Sequence, residues 1–214
     1  MNAVRLITPP AEAWLPLPPS AWNETRAAHL LRRMGYGVTP AMVAEALEKG
    51  MERTVIDAFA APAELVEPDS IRDYRATLPA LIAEFRAAPT QQARRELYRR
   101  ERRKQGPLFE DFVVAWTHHA AEPANAPSAK WVQFLQDVLV VGRPKINQTL
   151  DLYDYQELLR QGSLGAYPDL VKAVSRSAAM IRYLDLNRNT AAAPNENFAR
   201  ELFELFTLGE GNYT

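Results

Sequence analysis

From Asn23 to Gly50 the chain repeats one grammar: a polar cap, a run with apolar residues three and four apart, then a glycine. Asn23 precedes ETRAAHLLRRM, where Ala27, Leu30, Leu31 and Met34 fall at the spacing of a buried helical stripe, and Gly35 closes it. Thr39 and Pro40 then offer a cap and a first-turn proline for AMVAEALEKG, which stops at Gly50. Such punctuation commits a segment to an αα unit, because a 3.6-residue period cannot bury one face of a strand.

The same grammar continues. A third helix is expected over about 51–60, ending before Pro62, and another over about 70–87 with Pro79 kinking or interrupting it. Residues 94–104 carry seven basic residues and predict a helix lying mostly in water; LFEDFVVAWTHHA predicts a separate, apolar helix over 107–120. Ser128 is expected to cap AKWVQFLQDVLVV. Further helices are expected at about 146–161, from Tyr167 to about Leu184, and at 196–208. No Asn-Gly hairpin and no sustained apolar-polar alternation supports a strand. The expected fold is all-α, an irregular bundle of eight to ten helices, led by a proline-rich extended arm over 1–21 and with one helical domain over 22–214.

Composition narrows the function classes. The 25 basic and 26 acidic residues leave a net charge of −1, so no global field recruits nucleic acid, and binding of that kind would have to be local. The absence of cysteine removes disulfides, thiolate nucleophiles and thiolate metal sites. Of three histidines, His118 and His119 point about 100° apart on a helix and do not readily share an ion, and His29 reads as half-buried and hydrogen-bonded. No P-loop, G-x-S-x-G, dinucleotide glycine pattern or H-E-x-x-H is present. No cofactor and no metal site is expected. Prolines at 9, 10, 16, 18 and 19 break the N-terminal segment before it can form a secretory apolar core, and no window reaches the roughly 18 apolar residues of a membrane span. A cytoplasmic location is therefore expected.

The closing stretch is the densest in signal. Asn195 is placed as N-cap, Glu196 lies in the first turn where a carboxylate meets the helix dipole, and Gly209 is placed as the stop. Phe198, Ala199, Leu202, Leu205 and Phe206 gather on one side, against Glu196, Asn197, Arg200, Glu201 and Glu204 on the other. Glu196 with Arg200, and Arg200 with Glu204, form i,i+4 pairs worth about 0.2–0.5 kcal/mol each if exposed. Upstream lie Asp185, Asn187 and Asn189. So many short amides and carboxyls either cap a tight connection or line a polar pocket suited to a sugar or an oxygen-liganded cation, although Arg200 among the glutamates repels a cation. The candidate polar site is Asp185, Asn187, Asn195, Asn197, Arg200, Glu201 and Glu204.

Tyr183-Leu184-Asp185, Asn187, Asn189 and the run from Pro194 to Gly209 resemble the signature of a bacterial family known as a domain of unknown function, DUF 1800. AAHLLRRMGYGVTPAMV resembles that family's opening, and LLRQGSLGAYPDLVKAVSRSAAM its central segment. The resemblance implies an uncharacterised protein, the N-terminal portion of a longer family domain, with Thr214 looking like the cap of a next helix; it thus implies a truncated product, an isolated domain or a shortened paralogue. It also implies a partner, a sulfatase-like protein encoded nearby, and relatives that are often exported. Relatives carry a tryptophan-histidine-x-histidine stretch where Gln136 and Val138 stand here, so any role of those histidines is absent. Two readings follow: a non-catalytic helical interaction or scaffold module, or an enzyme or polysaccharide-acting protein using the polar site, with or without a divalent cation.

Overall fold

The computed structural model describes residues 15–60 and 64–213. These residues are all-α: ten α-helices, two short 3-10 turns and one isolated β-bridge between Thr190 and Ala193. Most of the proline-rich arm, residues 1–14, lies outside the described residues; from Leu15 the chain passes through a 3-10 turn at Pro19–Ala21. The helices divide between two compact units, Met1–Asp57 and Ala58–Thr214.

The first unit holds α1 (Glu24–Met34), α2 (Pro40–Lys49) and most of α3 (Met51–Ala58). Asn23 and Thr39 cap as their sequence positions predict, accepting from the amides of Arg26 at 3.1 Å and Met42 at 3.3 Å. Ala27, Val43 and Ala46 form its small core beneath Trp22, Leu31 and Val38, and the Trp22 indole donates to the Ala46 carbonyl at 3.2 Å. His29 is exposed rather than half-buried, because its position falls just off the Ala27 face.

In the second unit α4 (Asp69–Ala87) and α5 (Gln91–Ala121) pair as a long hairpin, followed by α6 (Ala126–Val138), α7 (Thr149–Gly162), α8 (Tyr167–Ser175), α9 (Ala178–Tyr183) and α10 (Glu196–Glu204). Helix α7 is the hub and packs against α5, α6, α8 and α9. It is buried on two sides: Tyr155 and Leu159 enter a core with Val132, Leu135, Val174 and Met180, while Leu152 and Tyr153 enter a second with Ile71, Leu108 and Phe112.

Several expected boundaries move, each for a local reason. Residues 94–104 and 107–120 are one 31-residue helix running through Pro107. Proline removes one helical hydrogen bond, but the preceding Gly106 has no Cβ to clash with the ring, and Gln105 and Leu108 are buried on either side. The basic segment is also less wet than expected, since Glu101 is buried between Arg100 and Lys104. Pro79 likewise sits inside a continuous α4, anchored by Tyr74 and Leu78. Ser128 does not cap α6. The helix starts at Ala126 with Pro127 in its first turn, and the buried Ser128 hydroxyl donates to the Asn125 carbonyl at 2.9 Å. The segment 167–184 is broken by Ser177, whose hydroxyl donates to the Val174 carbonyl at 2.7 Å and accepts from the Met180 amide at 3.2 Å. The final α-helix stops at Glu204, earlier than 208, because the Thr207 hydroxyl takes the Leu202 carbonyl at 2.8 Å while the amides of Leu208 and Gly209 both turn to Phe203.

Candidate functional site

Helix α10 is capped as the sequence predicts, but its asparagines are occupied with the backbone. Asn195 accepts from the Phe198 amide at 3.3 Å through Oδ1 and donates from Nδ2 to the Leu184 carbonyl at 2.7 Å. Its own amide donates to Asn189 Oδ1 at 2.9 Å. One side chain thus caps a helix and ties it to the end of α9. Asp185 sits in the left-handed region with φ 57°, and its carboxylate accepts from Lys145 at 2.7 Å. That bond holds the Asp185 carboxyl below its ordinary value. Asn187 is exposed in the 3-10 turn Leu186–Arg188.

On α10 itself Arg200 donates to Asn197 Oδ1 at 2.7 Å, and among the described residues it forms neither of the expected i,i+4 ion pairs. Glu204 accepts from the Tyr213 hydroxyl, with the Tyr213 ring 5.3 Å from that of Phe203. Glu201 is half-buried. Six of the seven residues therefore divide into three local groups, Asp185 with Lys145, Asn195 with Asn189 and Leu184, and the α10 face with Tyr213, while Asn187 stands apart in its turn. Among the described residues no hydrogen bond joins Asp185 or Asn187 to Arg200, Glu201 or Glu204. On the inner side Phe198, Leu202 and Phe206 pack on the core, whereas Leu205, expected there, is 59% exposed and Ala199 is exposed.

The histidine pair separates as helix geometry requires. His118 is exposed, and His119 is buried, stacked on Trp116 at 5.4 Å and 3.4 Å from the Asn125 amide nitrogen. Burial lowers the His119 pKa, and the Arg160 guanidinium lowers it further. Among the described residues no group of three or more His, Asp or Glu side chains is placed to hold a metal ion. Gln136 donates to Gln156 Oε1, and Gln156 is 1% exposed with its amide nitrogen lacking a partner among the described residues. Val138 packs half-buried against the core.

Two features escape the sequence. One is a charged cleft of about 710 Å³ beside α7, where Arg75 donates to Glu67 at 2.8 Å and to Asp154 at 2.6 Å, and Arg160 pairs with Glu157 at 2.8 Å. Arg75 bridges Glu67 and Asp154, which clamps Glu67 and α4 onto α7, and four carboxylates against two guanidiniums leave the cleft acidic. The other is an apolar surface. Trp131 and Phe134 stack at 5.1 Å on the outside of α6, and the Trp131 indole donates to the Ser163 carbonyl at 2.7 Å, next to exposed Leu164. Tyr167 donates to the Phe206 carbonyl at 2.6 Å, next to exposed Leu205. The bonds tie α6 to the α7–α8 turn and α8 to the end of α10, so that exposed apolar side chains stand along all three elements. The signal in sequence is that KWVQFLQDVLVV is apolar around more than one face.

No helix among the described residues is long and apolar enough to cross a membrane. No curated protein and no solved structure matches this chain. A family model does match, over residues 29–214, which takes in the αα unit from the middle of α1 onward, the α7 hub and the capped α10; the chain belongs to the family described as protein of unknown function, DUF1800.

Proposed function

We propose that this chain works by binding another protein, as a helical interaction module, with the exposed apolar side chains of α6, the α7–α8 turn and the end of α10 as its docking face. The observation that supports this most is the Trp131–Phe134 stack. Phe134 is 52% exposed, yet its partner ring is fixed by the bond to Ser163, so a large apolar anchor is held ready in water. Exposed apolar patches bordered by polar residues mark protein contacts, and pre-ordered aromatic anchors carry most of their binding energy. The polar residues of α10 fit a supporting role, because Asn195 and Asp185 stabilise the connection that brings Leu205 to the surface.

The partner that we propose is the sulfatase-like protein that the family resemblance implies. Co-expression with that protein and affinity capture test it. The wild-type chain is expected to retain the partner, and Phe134→Glu with Leu205→Glu to lose it while keeping its melting temperature. Retention by the doubly charged variant, or no capture by the wild type, would exclude this face and this partner.

A further inference from the structure

The polar N-terminal half of α5 meets the connection between α6 and α7 at an open cleft of about 540 Å³. Arg102 and Arg103 line it from the helix, Arg143 and Asn147 from the connection, and no carboxylate among the described residues lines it. Among the described residues none of the three arginines forms an ion pair, because the acids nearby are already engaged: Glu101 with Arg100 and Lys104, Asp185 with Lys145.

We propose that this cleft binds a multiply charged oxyanion, a phosphate or sulfate group. Three exposed guanidiniums that line one cleft and form no ion pair among the described residues repel one another, and a dianion seated among them relieves that repulsion while accepting several N–H bonds. The planar guanidinium matches such tetrahedral oxyanions better than an ammonium does.

The walls are held in place before any ligand arrives. Gln105, 6% exposed, is bonded at every polar group of its side chain: Nε2 donates to Tyr74 at 3.1 Å and to the Glu101 carbonyl at 3.4 Å, and Oε1 accepts from the Thr149 amide at 2.8 Å. The Thr149 hydroxyl also donates to the Gln105 carbonyl at 2.9 Å. This staple fixes the register between Arg102 and Arg103 on one wall and Asn147 on the other. Arg143 lies over the Phe109 ring at 3.8 Å, an arrangement that orients the guanidinium without neutralising it and leaves its N–H edges free. No aromatic side chain among the described residues lines the cleft, so it offers a nucleobase no ring to stack on. The cleft therefore suits charge and N–H geometry rather than a base.

Isothermal titration of the full chain with sodium pyrophosphate, and separately with sodium sulfate, tests the site. Saturable binding at one anion per chain is expected. Response to pyrophosphate alone marks a phosphate site, and response to both a general oxyanion site. Arg143→Gln and Arg102→Gln should each weaken binding at least tenfold, and Asn147→Ala, which leaves charge and stacking intact, several-fold. Arg95→Gln with Arg99→Gln, exposed on the same helix outside the cleft, should leave it unchanged. Absence of saturable binding to either anion overturns the proposal, as does equal weakening by the Arg95 and Arg99 changes. A short single-stranded oligonucleotide that binds more than tenfold tighter than pyrophosphate, with steep salt dependence, overturns it too and points to a polymer groove.

Discussion

The Tyr167 hydroxyl donates to the Phe206 carbonyl at 2.6 Å across 39 residues of chain, joining the first turn of α8 to the loop that follows α10. Removing only that hydroxyl tests how firmly the last helix is docked. Tyr167→Phe should destabilise the second unit by about 1 kcal/mol, the usual worth of one such bond, in urea unfolding. Amide exchange should speed up most between 198 and 208.

Gly162 lies where α7 hands over to α8, and a Cβ there would meet Leu170 Cδ1 at 2.7 Å. Leu170, 5% exposed in the main core, must shift the end of its side chain to make room. Gly162→Ala is therefore expected to cost about 1–3 kcal/mol, although alanine is the better helix former. Thermal denaturation reads this directly; an unchanged melting temperature would mean that Leu170 repacks without strain.

His119 gives stability an acid limb. Its folded pKa lies below the ordinary 6.5 because burial and Arg160 disfavour the imidazolium. A group depressed in this way contributes stability that is complete above pH 6.5 and is lost as pH falls through the folded value. His119→Phe, which keeps an aromatic ring beside Trp116, should unfold with a urea midpoint that declines less between pH 7.5 and 5 than the wild type.

Tyr153 gives an alkaline limb. Burial, with Glu157 and Glu67 adding to it, pushes its phenol up to about 12. The neutral phenol favours folding fully below about pH 10 and progressively less as pH rises towards 12, because the unfolded chain ionises first. Burial raises Tyr155 and Tyr74 in the same direction. Tyr153→Phe should lessen the loss of stability above pH 10, measured by circular dichroism, without abolishing it.

Much of this was legible in the residues. Asn23, Thr39 and Asn195 cap where expected because an N-cap is a short-range device, satisfied within three residues of itself. The all-α architecture is legible for the same reason, as helical periodicity is local. Pro107 misled because its effect depends on Gly106 before it and on burial of Gln105 and Leu108, which only the packed unit supplies. The candidate polar site was legible as a cluster but not in its use. A side-chain amide that binds a ligand and one that caps a carbonyl look alike until Leu184 is found opposite Asn195. The α6 surface was hidden in the opposite way. Trp131 and Phe134 have core composition, and sequence alone assigns such rings to the interior.

Helix α5 carries these contrasts along a single rod. At about 1.5 Å per residue its 31 residues span roughly 46 Å, more than a core of this size can cover. From Leu108 onward its side chains enter the core shared with α7, while in its first turns Tyr98 lies against Phe85 of α4 at 4.8 Å. Opening the outer end exposes little apolar surface, so its amide protons would exchange on a fast clock and those past Leu108 on the slow clock of global unfolding. The rod is keel at one end and gangplank at the other, and the tip at 88–89, short of the Thr90 cap, is where a fluorophore or an inserted epitope would disturb the molecule least.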